Sequence, residues 1–196
     1  NISLTVSNQC GSSSDAETIT IHRPTLAQFT PSLTTVCLGT PISFTNNSLG
    51  ENLTYEWDFG NGTTSTDQVP GAVTYDTPGT YTVELVADGY CGRDSMEVEI
   101  TVNPITVAAI APLDPIEGCS PLTVEFENNS TGVGLTYNWT IDGVFAGNTA
   151  TIPPVTFTET PGNAPVLHTV ELTVSSACGT LSVQETITVH RPTLAN

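Results

Sequence analysis

The sequence predicts an all-β chain of β-sandwiches laid in tandem, and three observations carry that reading. First, apolar and polar residues alternate over short runs. Tyr55, Trp57 and Phe59 fall on one face of an extended segment, with Glu56 and Asp58 on the other. Second, the chain repeats itself: residues 1–28 align without a gap on 169–196, with 17 of 28 positions identical, and share His-Arg-Pro-Thr-Leu-Ala at 22–27 and 190–195. Third, the five cysteines recur in two contexts. Cys37 and Cys119 precede alternating strands that end in Asn-Asn-Ser, whereas Cys10, Cys91 and Cys178 each precede a glycine. An apolar content of 38% suffices for sandwich cores, in which only alternate residues face inward.

Residues 1–27 read as two strands, near 2–8 and 15–22, around a Cys10-Gly11-Ser12-Ser13 turn. Arg23-Pro24 ends the pairing because proline has no N–H to donate. This segment matches the last hairpin of a later copy, so it is expected to be the tail of an incomplete repeat. A lone hairpin is marginal in water and has open edges. Its completion is expected from preceding chain or from a neighbouring molecule by strand exchange. Asn1-Ile2-Ser3-Leu4 already reads as strand, which predicts a piece of a longer or processed protein.

The first full repeat is expected over 28–103, with strands near 28–31, 34–37, 41–46, 53–59, 69–75, 80–88 and 94–102, and Asn103-Pro104 as the joint. The second, over 104–196, keeps the same plan. Its Tyr137, Trp139 and Ile141 repeat the inward triplet, Asp142-Gly143 predicts a tight hairpin turn, and His168 stands where Tyr81 stands in the first repeat. Trp57 and Trp139 alternate inward and are expected in the cores rather than as sugar-stacking platforms.

After Phe59 the run Gly60-Asn61-Gly62 breaks the strand with residues that tolerate positive φ, and Tyr75-Asp76-Thr77-Pro78-Gly79-Thr80-Tyr81-Thr82-Val83 supplies a turn and a second alternating strand. Together these resemble the PKD domain, whose hallmark is a Trp-Asp-Phe-Gly-Asp-Gly strand end followed by a Tyr-x-x-x-Gly-x-Tyr-x-Val strand start. Trp57 to Gly62 match the first part with Asn61 in place of the second Asp, and Tyr75, Gly79, Tyr81 and Val83 match the second. The resemblance implies an immunoglobulin-like sandwich. Residues 104–196 resemble a diverged copy, because the Gly-Asn-Gly corner is lost there. The family occurs in adhesins, surface layers and secreted hydrolases, so it implies fold more than activity. Some PKD-like modules use calcium, which makes Asp58, Asn61 and Asp76 candidate oxygen ligands; the competing role for these residues is turn hydrogen bonding.

Each full repeat holds one early and one late cysteine. The expected disulfides are therefore Cys37–Cys91 and Cys119–Cys178, each closing a loop of roughly 55–60 residues and worth about 4 kcal/mol in the loop-entropy description. Cys10 is left unpaired, its partner expected in a preceding repeat. Disulfides imply an oxidising, extracytoplasmic setting.

The charge balance narrows the partners. Twenty acidic residues face only Arg23, Arg93 and Arg191, for a net charge of −17. Such a surface repels phosphate backbones and anionic lipid, which argues against nucleic acid and direct membrane insertion. No stretch approaches the ~20 apolar residues of a membrane-spanning helix. His22, His168 and His190 lie in no recognisable triad pattern. Glu97, Glu99, Glu125 and Glu127 alternate with apolar residues as solvent faces of strands, not as an acid–base pair. Asn46, Asn52, Asn61, Asn128, Asn129 and Asn138 open glycosylation sequons.

The expected function is structural and non-catalytic: a segment of a long secreted cell-surface protein, acting as a stalk, adhesin or extracellular filament. The cysteine-bearing repeats resemble those of large bacterial surface and gliding-associated adhesins. Expected partners are neighbouring repeats or other copies of the chain, and surface glycans. The alternative is an accessory glycan- or protein-binding module of a secreted hydrolase.

Overall fold

A computed structural model describes residues 1–192 and shows only strands there, eighteen of them. No helix among these residues is long and apolar enough to cross a membrane. The chain divides into two compact units. One holds Asn1–Thr34, Ile42–Val73 and Tyr81–Glu99; the other holds Thr35–Pro41, Thr74–Thr80 and the described chain from Ile100 onward.

The opening hairpin pairs β1 (Ile2–Asn8) with β2 (Gly11–Glu17). The second strand therefore starts directly after Cys10 and ends before Thr18, earlier than the 15–22 expected. A two-residue loop, Gln9-Cys10, replaces the longer turn. It closes because the Cys10 N–H donates to Asn8 Oδ1 at 2.7 Å, and Gly11 takes a φ of 146°.

The first sandwich has a five-stranded sheet in the order β4-β9-β8-β6-β7, made of Thr35–Cys37, Gly92–Asn103, Gly79–Gly89, Thr54–Asp58 and Thr64–Ser65. Facing it are β3 (Phe29–Pro31) and β5 (Phe44–Asn46). Strand β4 runs parallel to the end of β9, with Cys37 opposite Asn103. The expected strand at 69–75 is instead a loop tied by the isolated bridge Ile42↔Val73 and by the Gly39 N–H, which donates to Tyr75 O at 3.4 Å, and β7 was not anticipated. Pro70-Gly71 denies that loop a ladder.

The period-2 alternation works as expected. Val83, Leu85 and Ala87 of β8 and Ile100 and Val102 of β9 are buried. Phe29, Phe44, Trp57 and Phe59 are buried as well, with their rings 5.2–6.1 Å apart. Tyr81 is half-buried at the strand start, while Tyr75 is fully buried. Aromatic pairs at such spacings add ~1 kcal/mol each beyond their area.

The second sandwich repeats the plan: β11 (Glu117–Cys119), β18 (Gly179–His190), β17 (Val166–Ser176), β14 (Thr136–Ile141) and β15 (Val144–Gly147) form one sheet in that order. Opposite are the pairs β10 (Ile110–Pro112) with β13 (Phe126–Asn128), and β12 (Leu122–Val124) with β16 (Val155–Phe157). Its core centres on Trp139, packed by Val124, Phe126, Phe157, Val170, Leu172, Val174, Ile187 and Val189.

The two repeats agree bond for bond at several points. Trp57 Nε1 donates to Asp67 O at 3.0 Å, and Trp139 Nε1 to Thr149 O at 3.1 Å. Asn46 Nδ2 donates to Gln68 O and Asn128 Nδ2 to Ala150 O, at 2.9 and 2.8 Å. Each Asn also accepts an N–H, from Ser48 or Ser130, at 3.0 Å. The first Asn of each Asn-Asn-Ser run is thus a clamp between strand end and loop.

The corners differ. In the first repeat Gly60 takes φ 73°, and a Cβ there would lie 2.6 Å from Thr82 O. Gly62 has φ 84° but open space around it. In the second, Asp142 (φ 49°) and Gly143 (φ 77°) make the tight turn between β14 and β15. Asp142 Oδ1 accepts the Thr169 N–H at 2.9 Å, and Oδ2 lies 2.7 Å from His168 Nδ1. Partial burial pushes the Asp142 carboxyl up, but the His168 ring and the Thr169 N–H outweigh it and hold the group below the ordinary aspartate value of 3.8.

Two outcomes follow. Gly60→Ala should destabilise by about 2–4 kcal/mol, since it combines a left-handed backbone with a collision against backbone, whereas Gly62→Ala should cost about 1 kcal/mol; urea unfolding measures both. For Asp142, the lowered folded value means its contribution is present above the ordinary aspartate range and is lost as pH falls through the folded value. Asp142→Asn should therefore flatten the fall in Tm below about pH 4 relative to the parent chain.

Candidate functional site

The residues singled out by sequence fall into three sets: the glycine corner, three separate histidines, and the cysteines at hairpin tips and short-strand ends.

At the corner, Asp58 Oδ1 accepts the Gly60 N–H at 2.8 Å. Asn61 Oδ1 accepts the Thr63 N–H at 3.0 Å and its hydroxyl at 2.6 Å. Asp58 and Asp76 are exposed. Calcium takes 6–8 oxygens, and two of these three side chains already turn an oxygen to the backbone of their own loop. The set fits a turn brace and fits calcium poorly. Among the described residues no group of three or more His, Cys, Asp and Glu is placed to hold a metal ion.

The histidines sit against carboxylates. His22 Nδ1 lies 2.6 Å from Glu51 Oε2, and His190 Nε2 lies 2.7 Å from Glu117 Oε1. The hydrogen bond from His22 is the main reason the Glu51 carboxyl titrates below its ordinary range. His168 is held on both sides, by Asp142 and, through Nε2 at 3.0 Å, by Glu159. With both ring nitrogens occupied, His168 is built as a clamp between β17 and its neighbouring loops, not as a general base. Trp57 and Trp139 are buried, at 1% and 0% exposure, so neither offers a stacking face.

The cysteines depart from expectation. The bridge present is Cys37–Cys178, with Cα atoms 5.5 Å apart and a sequence separation of 141, and both belong to the second compact unit. Cys91, Cys119 and Cys10 are exposed thiols. The expected pairs Cys37–Cys91 and Cys119–Cys178 fail for one geometric reason. In each repeat the late cysteine immediately precedes the last strand, while the early cysteine lies opposite that strand's far end: Cys37↔Asn103 on β9, and Cys119↔His190 on β18. A strand of that length spans about 36 Å, and a disulfide tolerates at most ~7 Å between Cα atoms. Spacing along the sequence suggested a closed loop. The parallel pairing of β4 with β9 and of β11 with β18, which the sequence did not reveal, puts the two sulfurs at opposite ends.

The opening hairpin has the register of the last one. Ile2↔Glu17 and Asn8↔Gly11 correspond, 168 residues on, to Val170↔Glu185 and Ser176↔Gly179. Yet Ile2, Leu4, Val6, Ile19 and Ile21 are 59–88% exposed, while their counterparts Val170, Leu172, Val174, Ile187 and Val189 are fully buried.

Comparison with known proteins bears on the fold. Collagenase ColA of Bacillus cereus is 44% identical over 60 residues, covering 30% of this chain and 6% of the collagenase, so the chain spans only a small part of that relative's length. The PKD1 domain of Vibrio anguillarum Epp is 29% identical, covering 42% of this chain and 96% of that domain, with a TM-score of 0.36. An I-band fragment of titin, I67-I69, is similar over 87% of this chain and 67% of its own at 13% identity, with a TM-score of 0.55, which places the fold among tandem immunoglobulin-like sandwiches. Residues 26–102 match the family model of the PKD domain.

Proposed function

We propose that this chain is a non-catalytic structural segment of a long extracellular protein, built from PKD-like repeats at 28–103 and 104–196 and serving as a stalk, adhesin or filament. The observation that carries the reading is the opening hairpin. It reproduces the register of β17–β18 with its inward face bare, which is what the tail of a further repeat looks like when its front half lies elsewhere. Leaving five large aliphatic residues in water forgoes about 1.5–3 kcal/mol apiece, so a covering front half is strongly favoured. The acidic surface and the disulfide suit an extracellular, oxidising place. In this role the sandwiches bear load and hold spacing, and their partners are copies of the same repeat.

A second reading, an accessory module of a secreted hydrolase, is favoured by the identity with part of a collagenase. Electron microscopy of the native polypeptide separates the two. The structural reading expects an unbranched strand with a regular longitudinal repeat, and no retention of the 196-residue chain on collagen or insoluble polysaccharide. A compact particle without a repeat, together with retention on either material, would instead establish the accessory module.

A further inference from the structure

We infer that the exposed thiols are halves of a disulfide series running from each repeat to the next, the early cysteine of one copy bonded to the hairpin cysteine of the following copy. This deepens the tandem-repeat reading and rests on it. Three observations carry it. The bridge that is present joins Cys37, the early cysteine of the first repeat, to Cys178, the hairpin cysteine of the second. Pairing inside one repeat is barred by the length of its last strand, in both copies alike. The remaining thiols occupy equivalent places: Cys119 ends a short strand parallel to the last strand as Cys37 does, and Cys10 and Cys91 sit second in a two-residue hairpin loop, before a positive-φ glycine, as Cys178 does.

The rule then assigns every cysteine. Cys119 takes the hairpin cysteine of the next repeat. Cys91 and Cys10 each take the early cysteine of the repeat before theirs. A second copy of the repeat is thus the partner, and the exposed sulfurs are attachment points rather than redox or metal sites. Each bond forms from two thiols, which lose two protons and two electrons. The acceptor is a disulfide oxidant of the glutathione or thiol-oxidoreductase class, which leaves as two thiols. Tension along such a polymer passes through covalent links from repeat to repeat in addition to the peptide joints.

The gap-free match of 1–28 to 169–196 shows how to supply a neighbour, since residue 196 stands where residue 28 stands. The test is a fusion of residues 1–196 followed by 29–196, refolded beside the 196-residue chain in a glutathione redox couple. Free thiols are counted with Ellman's reagent and bridges are mapped by mass spectrometry. The single chain has five cysteines and should show three free thiols. The fusion has nine cysteines, the five of the full chain and the four beyond residue 28 of the added copy, and should also show three. Its new bridge should join the first copy's Cys119 to the second copy's Cys91. Changing Cys91→Ser in the second copy alone should raise the count to four. Five free thiols in the fusion, or any bridge from Cys37 to Cys91 or from Cys119 to Cys178 of the same copy, would overturn the inference. Either result would leave the tandem-repeat reading intact, because that reading is judged by the imaged strand.

Discussion

Each repeat depends on how its long final hairpin closes over the front half. In the second repeat five inward residues of β17 and β18, Val170, Leu172, Val174, Ile187 and Val189, are fully buried around Trp139. In the first, Val83, Leu85, Ala87, Ile100 and Val102 are buried too, as are Trp57 and the ring cluster of Phe29, Phe44 and Phe59. The hydrophobic effect acts on the pair of halves and on neither half alone. A sandwich is therefore a contract between a front half and a back hairpin that are far apart in sequence, and a repeat cut between them leaves an apolar face on each side. The exposed face of β1–β2, against the buried face of β17–β18 at the same register, is the contrast on which the proposed function rests.

The same hairpin sets where the cysteines can bond. Its tip carries the late cysteine and its end lies beside the early one, so the length of one strand decides that no repeat can staple itself. Cysteine placement and core closure thus share one element. The turn chemistry serves it in turn: Gly60 yields space to Thr82 O on β8, and Asp142 holds the start of β17 through Thr169 and His168.

Much of this was legible in the sequence. Alternation placed Trp57, Trp139 and the inward faces of the long strands, because a pleat has a period of two whatever surrounds it. The Asp142-Gly143 turn was legible because few residues accept positive φ. The 28-residue match at an offset of 168 exposed the opening segment as a copied hairpin. Other features were out of reach. Strand β7 is two residues of Thr and Ser with no apolar signal, and the segment at 69–75 reads as a strand but pairs with Ile42 through an isolated bridge rather than a ladder. The disulfide depends on which strand lies beside which, and three-residue strands such as β4 and β11 carry too little pattern to announce a parallel partner. For Asp58 and Asn61 the sequence offered two roles, oxygen ligand and turn brace; the folded corner shows the loop-directed hydrogen bonds of the second.

The claim that the opening hairpin is the tail of a repeat, stable only when a front half covers it, is tested most directly by amide hydrogen exchange on the dilute monomeric chain. The account predicts that β1–β2 amides exchange orders of magnitude faster than the amides of β17–β18 at matching register positions, since the same ladder lacks its apolar cover. Equal protection of the two hairpins in a strictly monomeric sample would contradict it.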